Sequence, residues 1–226
     1  MGTLSPVRIV SLYMFNSSWG PKEGEEEKKI VYFWPKESTV DSKLKNIGLV
    51  EGVVTFSSKF SSAPANSLHT LKERTVFLEV EPEFWLCIGV ALPSARKQAK
   101  DTGEVIEFYP EEVNDAVLLS MLRRSHEMFS LFHSSLSAAL NRCGESRSTL
   151  KELVDHFYSR YLATLRVENG DITAVWGGMQ YLALNSLDFL RVQSYINRIK
   201  SDFSNIRDKR LCIRILRCYP FQLDYA

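Results

Sequence analysis

The hydrophobic pattern changes character along the chain, from strand-like in the first half to helix-like in the second. Residues 7–15 (VRIVSLYMF) concentrate β-branched and aromatic side chains and predict a strand. Residues 16–29 hold Ser, Gly, Pro and a run of Glu, the chemistry of a loop. Residues 30–34 (IVYFW) are continuously apolar and end at Pro35, which predicts a second strand covered on both faces. The two strands predict a hairpin with a long acidic connection.

Asp41 marks a helix N-cap region, and residues 41–60 follow the 3.6-residue period. At about 100° per residue, Val40, Leu44, Ile47, Val50 and Val54 fall on one stripe. Leu49, Val53, Phe56 and Phe60 form a second stripe on nearly the opposite side, with Gly48 and Gly52 between. A helix apolar on two sides is covered on two sides: one by its own sheet, the other by a second body. The expectation is that the stripe of Leu44, Ile47, Val50 and Val54 is the one that meets the second body.

Residues 75–80 (TVFLEV) and 84–92 (FWLCIGVAL) predict two more strands around a Glu-Pro-Glu turn. Residues 93–103 read as a polar connection and 105–109 as a short edge strand before Pro110. Residues 111–140 carry Leu118, Leu122, Ser125, Phe129, Phe132, Leu136 and Leu140 at three- and four-residue steps, one long amphipathic helix. Leu150, Leu153, Phe157, Tyr161 and Leu165 define another, Gly177-Gly178 a turn, and Phe189, Gln193, Ile196, Ile199, Phe203 and Ile206 a last helix. The order β-β-α-β-β-(β)-α-α predicts an α+β fold: an antiparallel sheet with one helix on one face and two on the other, plus a C-terminal helical extension. The domain division expected is 1–170 for the layered domain and 171–226 for the extension and tail.

Composition supports a folded chain and narrows its chemistry. Of 226 residues, 45% are hydrophobic and 12% aromatic, enough to build a sizeable core. Lys+Arg 28 against Asp+Glu 27 gives a net charge of +1, so no polyanion footprint is present and nucleic acid is not an expected partner. The basic and aromatic residues 191–210 are interrupted by Asp202 and Asp208, which fits a solvated face. Cys87, Cys143, Cys212 and Cys218 lack Cys-x-x-Cys spacing and predict free thiols in a reducing compartment. A secretory leader is not recognisable, a myristoylation motif fails at Pro6, and no apolar run reaches membrane-spanning length, so a cytoplasmic chain is expected.

Catalytic chemistry is not legible. The Gly20-Pro21-Lys22-Glu23-Gly24 stretch lacks the Gly-Lys-Ser/Thr ending of a phosphate loop, and Glu23, Glu25, Glu26 and Glu27 would repel phosphate. His126 and His133 are two turns apart on one helix, too far to share a metal without help from another element. Asp155-His156 are helix neighbours pointing about 100° apart, and no Gly-x-Ser-x-Gly is present. No cofactor, metal or covalent chemistry is therefore expected, and the reading is an interaction protein. The loop between the first two strands reads either as a solvated connection with Trp19 folded onto the sheet or as a site where Trp19 and Lys22 are candidate contacts, because exposed aromatic and basic groups are frequent interface anchors.

A set of collinear strings then adds a resemblance. Gly20-Pro21-Lys22-Glu23-Gly24 precedes Ile30-Val31-Tyr32-Phe33-Trp34-Pro35, followed by Asn46-Ile47-Gly48-Leu49-Val50-Glu51, Ser67-Leu68-His69-Thr70 and Glu83-Phe84-Trp85. Phe157-Tyr158-Ser159-Arg160-Tyr161-Leu162 and Trp176-Gly177-Gly178 complete the series. Their order resembles the N-terminal part of the caffeine-, calcium- and zinc-sensitivity (CCZ) vacuolar fusion protein family, of the intu/CCZ/HPS longin class, from about Val7 to about Asn205.

The resemblance implies the first of three longin domains, of order β-β-α-β-β-β-α-α. It further implies pairing with a monensin-sensitivity longin partner into an exchange factor for the late-endosomal or vacuolar Rab GTPase, with peripheral membrane association through the full complex at late endosome, lysosome or vacuole. The paired first longin domains would present the surface that opens the nucleotide site. The alternative is a longin-like trafficking adaptor without exchange activity. After about Ile206 the sequence departs from the family pattern, which is read as a C-terminally shortened member.

Overall fold

The computed structural model describes residues 4–61, 65–99, 103–144, 146–165 and 186–202. The chain divides into two compact units, Met1–Ile172 and Thr173–Ala226. In the first, an antiparallel five-stranded sheet has the order β2-β1-β5-β4-β3. Its strands are β1 (Arg8–Asn16), β2 (Ile30–Trp34), β3 (Ser67–His69), β4 (Glu73–Glu81) and β5 (Phe84–Ala91). β5 is the middle strand with β1 and β4 beside it, and Leu12, Tyr13 and Met14 of β1 and their partners Ile88, Cys87 and Leu86 of β5 are all buried.

Period-two alternation divides these strands between two cores. Leu12, Met14, Val76, Leu86, Ile88 and Val90 face one side, against helices α2 (Asp115–His133), α3 (Leu136–Arg142) and α4 (Arg147–Thr164). Leu118, Leu122, Phe129, Leu150, Val154 and Tyr158 from those helices complete this larger core. Tyr13, Phe15, Phe33, Phe77 and Cys87 face the other side, where α1 (Val40–Ser58) lies alone.

Three local predictions are corrected. The fifth strand of the sheet is β3, ahead of β4, and not residues 105–109. Residues 105–108 belong to β7 (Gly103–Phe108), which pairs with β6 (Ser94–Ala99) in a separate two-stranded ribbon. The stretch expected to be a polar connection is thus strand over Ser94–Ala99, in a ribbon whose β7 leaves Val105 and Ile106 exposed. The long helix expected over 111–140 is two helices. The apolar period runs on through the break, but Ser134 adopts φ 68° and turns the chain. Ser135 then caps α3, accepting from the Ala138 amide at 3.1 Å. The Glu81 carboxylate, from β4, completes this cap by accepting from the Leu136 and Ser137 amides at 2.6 and 3.1 Å.

In the second unit, α5 (Ser186–Asp202) carries an ion pair between Arg191 and Asp188, 3.3 Å apart. The predicted Gly177-Gly178 turn, Phe203, Ile206, Cys212, Cys218 and the tail lie outside the described residues.

Candidate partner-binding surface

The helix with two apolar stripes is where sequence and structure meet most directly. Thr39 caps α1, its hydroxyl accepting from the Ser42 amide at 3.3 Å, two residues ahead of the Asp41 anticipated for this role. Lys29 ties the start of β2 to the middle of the helix through Glu51 at 2.8 Å. Lys43 sits over the Phe33 ring, 5.6 Å from its centroid. These contacts fix the rotation of α1 on the sheet.

That rotation reverses the expected assignment of the stripes. Ile47 and Val50 are 2% and 1% exposed and belong to the core formed with Tyr13, Phe15, Phe33, Phe77 and Cys87. Val54 packs on the same core and Leu44 is half-buried. The physical reason is volume. This sheet face already carries the rings of Tyr13, Phe15, Phe33, Phe77 and Trp85, and the compact Ile and Val side chains fill the space between rings that a further Phe stripe would overfill.

The stripe left outside is Leu49, Phe56 and Phe60, which are 49%, 67% and 75% exposed. Gly48 and Gly52 lie on that side too, and a methyl group added to either would meet nothing within 4 Å. They therefore answer no packing need within the chain, although each glycine costs a helix about 1 kcal/mol relative to alanine. With Leu49, Val53, Phe56 and Ser57 they line a shallow groove of about 320 Å³. Contiguous apolar groups of this kind on a folded surface mark an interaction site.

The two loop candidates separate. Trp19 is 5% exposed: its ring meets Phe84 edge-on at 5.8 Å, and the Arg147 guanidinium sits 4.8 Å above it. It pins the first turn of α4 to β5 and is removed from any outside partner. Gly20, next in the chain, has φ +65°, and a Cβ there would lie 2.2 Å from the Glu25 carbonyl oxygen, so this tight turn demands glycine. Lys22 is exposed.

Beyond the helix, β3 is fastened to α2. His69 Nε2 lies 2.7 Å from Asp115 Oδ2, and Arg74 Nη1 donates to Asp115 Oδ1 at 3.1 Å. Burial alone would raise the Asp115 carboxyl; hydrogen bonds from His69 and Ser67 and the charges of His69 and Arg74 hold it below the usual carboxylate value. His126 is paired differently. Desolvation lowers its pKa, although Glu81, 3.5 Å from Nε2, favours the charged form. Among the described residues no three His, Cys, Asp or Glu side chains gather as metal ligands, and no helix is long and apolar enough to cross a membrane.

Comparison with known proteins sets this surface in context. A family model described as the first longin domain of INTU, CCZ1 and HPS4 matches residues 9–134, from β1 through α2. The chain belongs to this family. Among its relatives are vacuolar fusion protein CCZ1 homologues. Those of Nematostella vectensis and Xenopus laevis are each 38% identical over 200 residues, 88% of this chain and 43% and 42% of theirs. The homologue of Dictyostelium discoideum is 25% identical over 204 residues, 88% of this chain and 45% of its own length. The chain thus spans less than half the length of these relatives. The five-stranded antiparallel sheet with helices on both faces is a longin fold, and α1 with both of its stripes lies within the matched segment.

Proposed function

We propose that this chain is the longin subunit of a heterodimeric guanine nucleotide exchange factor, acting on the late-endosomal or vacuolar Rab GTPase in membrane fusion at the late endosome, lysosome or vacuole. The relatives' name, vacuolar fusion protein, supports the setting. The observation that carries the reading is the exposed Leu49, Phe56 and Phe60 face on a helix already anchored by its other side. That face is the docking site for a second longin domain, of the monensin-sensitivity protein, and the joint surface engages the GTPase. Membrane association is peripheral and belongs to the full complex.

Exchange in this reading involves no covalent step. The paired surface binds the nucleotide-free GTPase more tightly than the nucleotide-bound form, and that difference in affinity shifts the equilibrium toward release. The test is co-purification of the chain with the partner's first longin domain, followed by nucleotide release from the Rab. A stable complex that accelerates release supports the proposal. A complex without acceleration leaves an adaptor, and the absence of a complex refutes the pairing.

A further inference from the structure

At the far end of the sheet from Trp19, where β1 begins and β5 ends, lies an open recess of about 310 Å³. Its walls include Arg8, Lys72 and Glu73, and its apolar floor includes Ala91, Leu92 and Phe108. Arg8 and Glu73 both pair with Ala91, from the strands on either side of it, so the three share one sheet face. Ser5 closes one side, its amide donating to the Ser94 carbonyl at 2.9 Å and its hydroxyl accepting from the Ser94 amide at 2.8 Å.

Neither the Arg8 guanidinium nor the Lys72 ammonium has a partner among the described residues, so both are available to a ligand. The turn that carries Lys72 is closed by the Thr70 amide and hydroxyl, both donating to the Glu73 carbonyl at 3.0 and 2.7 Å. Leu71 stands out from this turn 75% exposed.

We propose that this recess binds an extended peptide segment of a partner protein in which a carboxylate adjoins a large apolar side chain. Arg8 and Lys72 take the carboxylate as charge-assisted donors. The Leu92 and Phe108 floor takes the apolar side chain, and the Glu73 carboxylate accepts a peptide N–H. The apolar floor argues against a bare phosphate or a sugar phosphate, which would leave it uncovered. Glu73 argues against a purely anionic surface, which it would repel. The site is separate from the α1 face and does not depend on the pairing proposed for it.

The probe is a capped peptide carrying Glu-Leu-Phe, with Gln-Leu-Phe and Glu-Ser-Ser counterparts, titrated into the full 226-residue chain and followed by amide chemical shifts. Expected are shifts confined to the recess and binding about ten-fold tighter for Glu-Leu-Phe than for either control, as the loss of a charge-assisted bond or of one buried apolar side chain implies. Arg8→Gln with Lys72→Gln should abolish the preference for Glu over Gln, while Arg123→Gln with Arg160→Gln, an equal change of charge on exposed helix positions, should leave it intact. Equal affinity for all three peptides, or shifts elsewhere on the chain, overturns the proposal. So does a stronger response of the same amides to phosphatidylserine vesicles, which would make the recess a membrane contact.

Discussion

Phe56, on the outer side of α1, and Phe60, in the turn that follows it, pack on each other and not on the sheet beneath them: their ring centroids are 4.8 Å apart and the rings are tilted by 47°. Two large rings in mutual contact but open to water form a preassembled anchor, since aromatic side chains at the centre of an interface supply much of its binding energy.

The first prediction follows from that anchor. Leu49→Glu with Phe56→Glu should abolish pairing with a partner longin domain, and the isolated chain should keep its stability within about 0.5 kcal/mol, as for exposed positions generally. Ile47→Glu places a carboxylate in the core beside Phe15 and Phe77 and should destabilise the fold by on the order of 4 kcal/mol. Urea melts of the isolated chain and co-purification with the partner separate the two effects. A Phe56→Glu, Leu49→Glu variant that still pairs would remove this face as the interface.

The glycines give a second test. Because a methyl at Gly48 or Gly52 meets open space, Gly48→Ala and Gly52→Ala should each raise the stability of the isolated chain by about 0.5–1 kcal/mol. Gly52→Leu fills the groove and should weaken pairing while leaving the isolated chain folded. Weakened pairing with unchanged thermal unfolding of the single chain is the diagnostic combination.

Trp19 and Lys22, three residues apart, should behave as opposites. Trp19→Ala removes a ring packed between Phe84 and Arg147 and should cost about 3 kcal/mol or more, within the range for large aromatic deletions from a core. Lys22→Ala should change stability by less than about 0.5 kcal/mol. Denaturant midpoints of the two variants read this out.

His126 predicts a pH dependence. Its folded-state pKa is lowered, chiefly by burial, so the unfolded chain takes up the proton more readily than the folded one. Stability is therefore full above the unfolded value of about 6.5 and falls as the pH drops from there toward the folded value. His126→Gln should flatten part of that slope, leaving the remainder to His133, whose pKa is also lowered by burial. Unfolding free energies measured across that interval check the sign: a slope unaltered by His126→Gln would exclude this histidine as a source.

What the sequence by itself determined is the existence and type of most elements, and the fact that α1 is apolar on two sides. The β-branched and aromatic content of β1, the continuous apolar run of β2 and the 3.6-residue period of α4 are local consequences of burial geometry, legible wherever an element meets a core. The tertiary structure alone decided which stripe of α1 points inward. Both stripes are apolar, and the choice between them depends on the free volume above Tyr13, Phe15, Phe33, Phe77 and Trp85, a property of residues drawn from separate strands. The same holds for Trp19, whose place depends on Phe84 and Arg147 far along the chain, and for β7, whose pairing with β6 instead of the main sheet is a long-range contest of edges. Period and composition are carried by neighbours in sequence; facing, partner choice and exposure are set by what the fold brings alongside them.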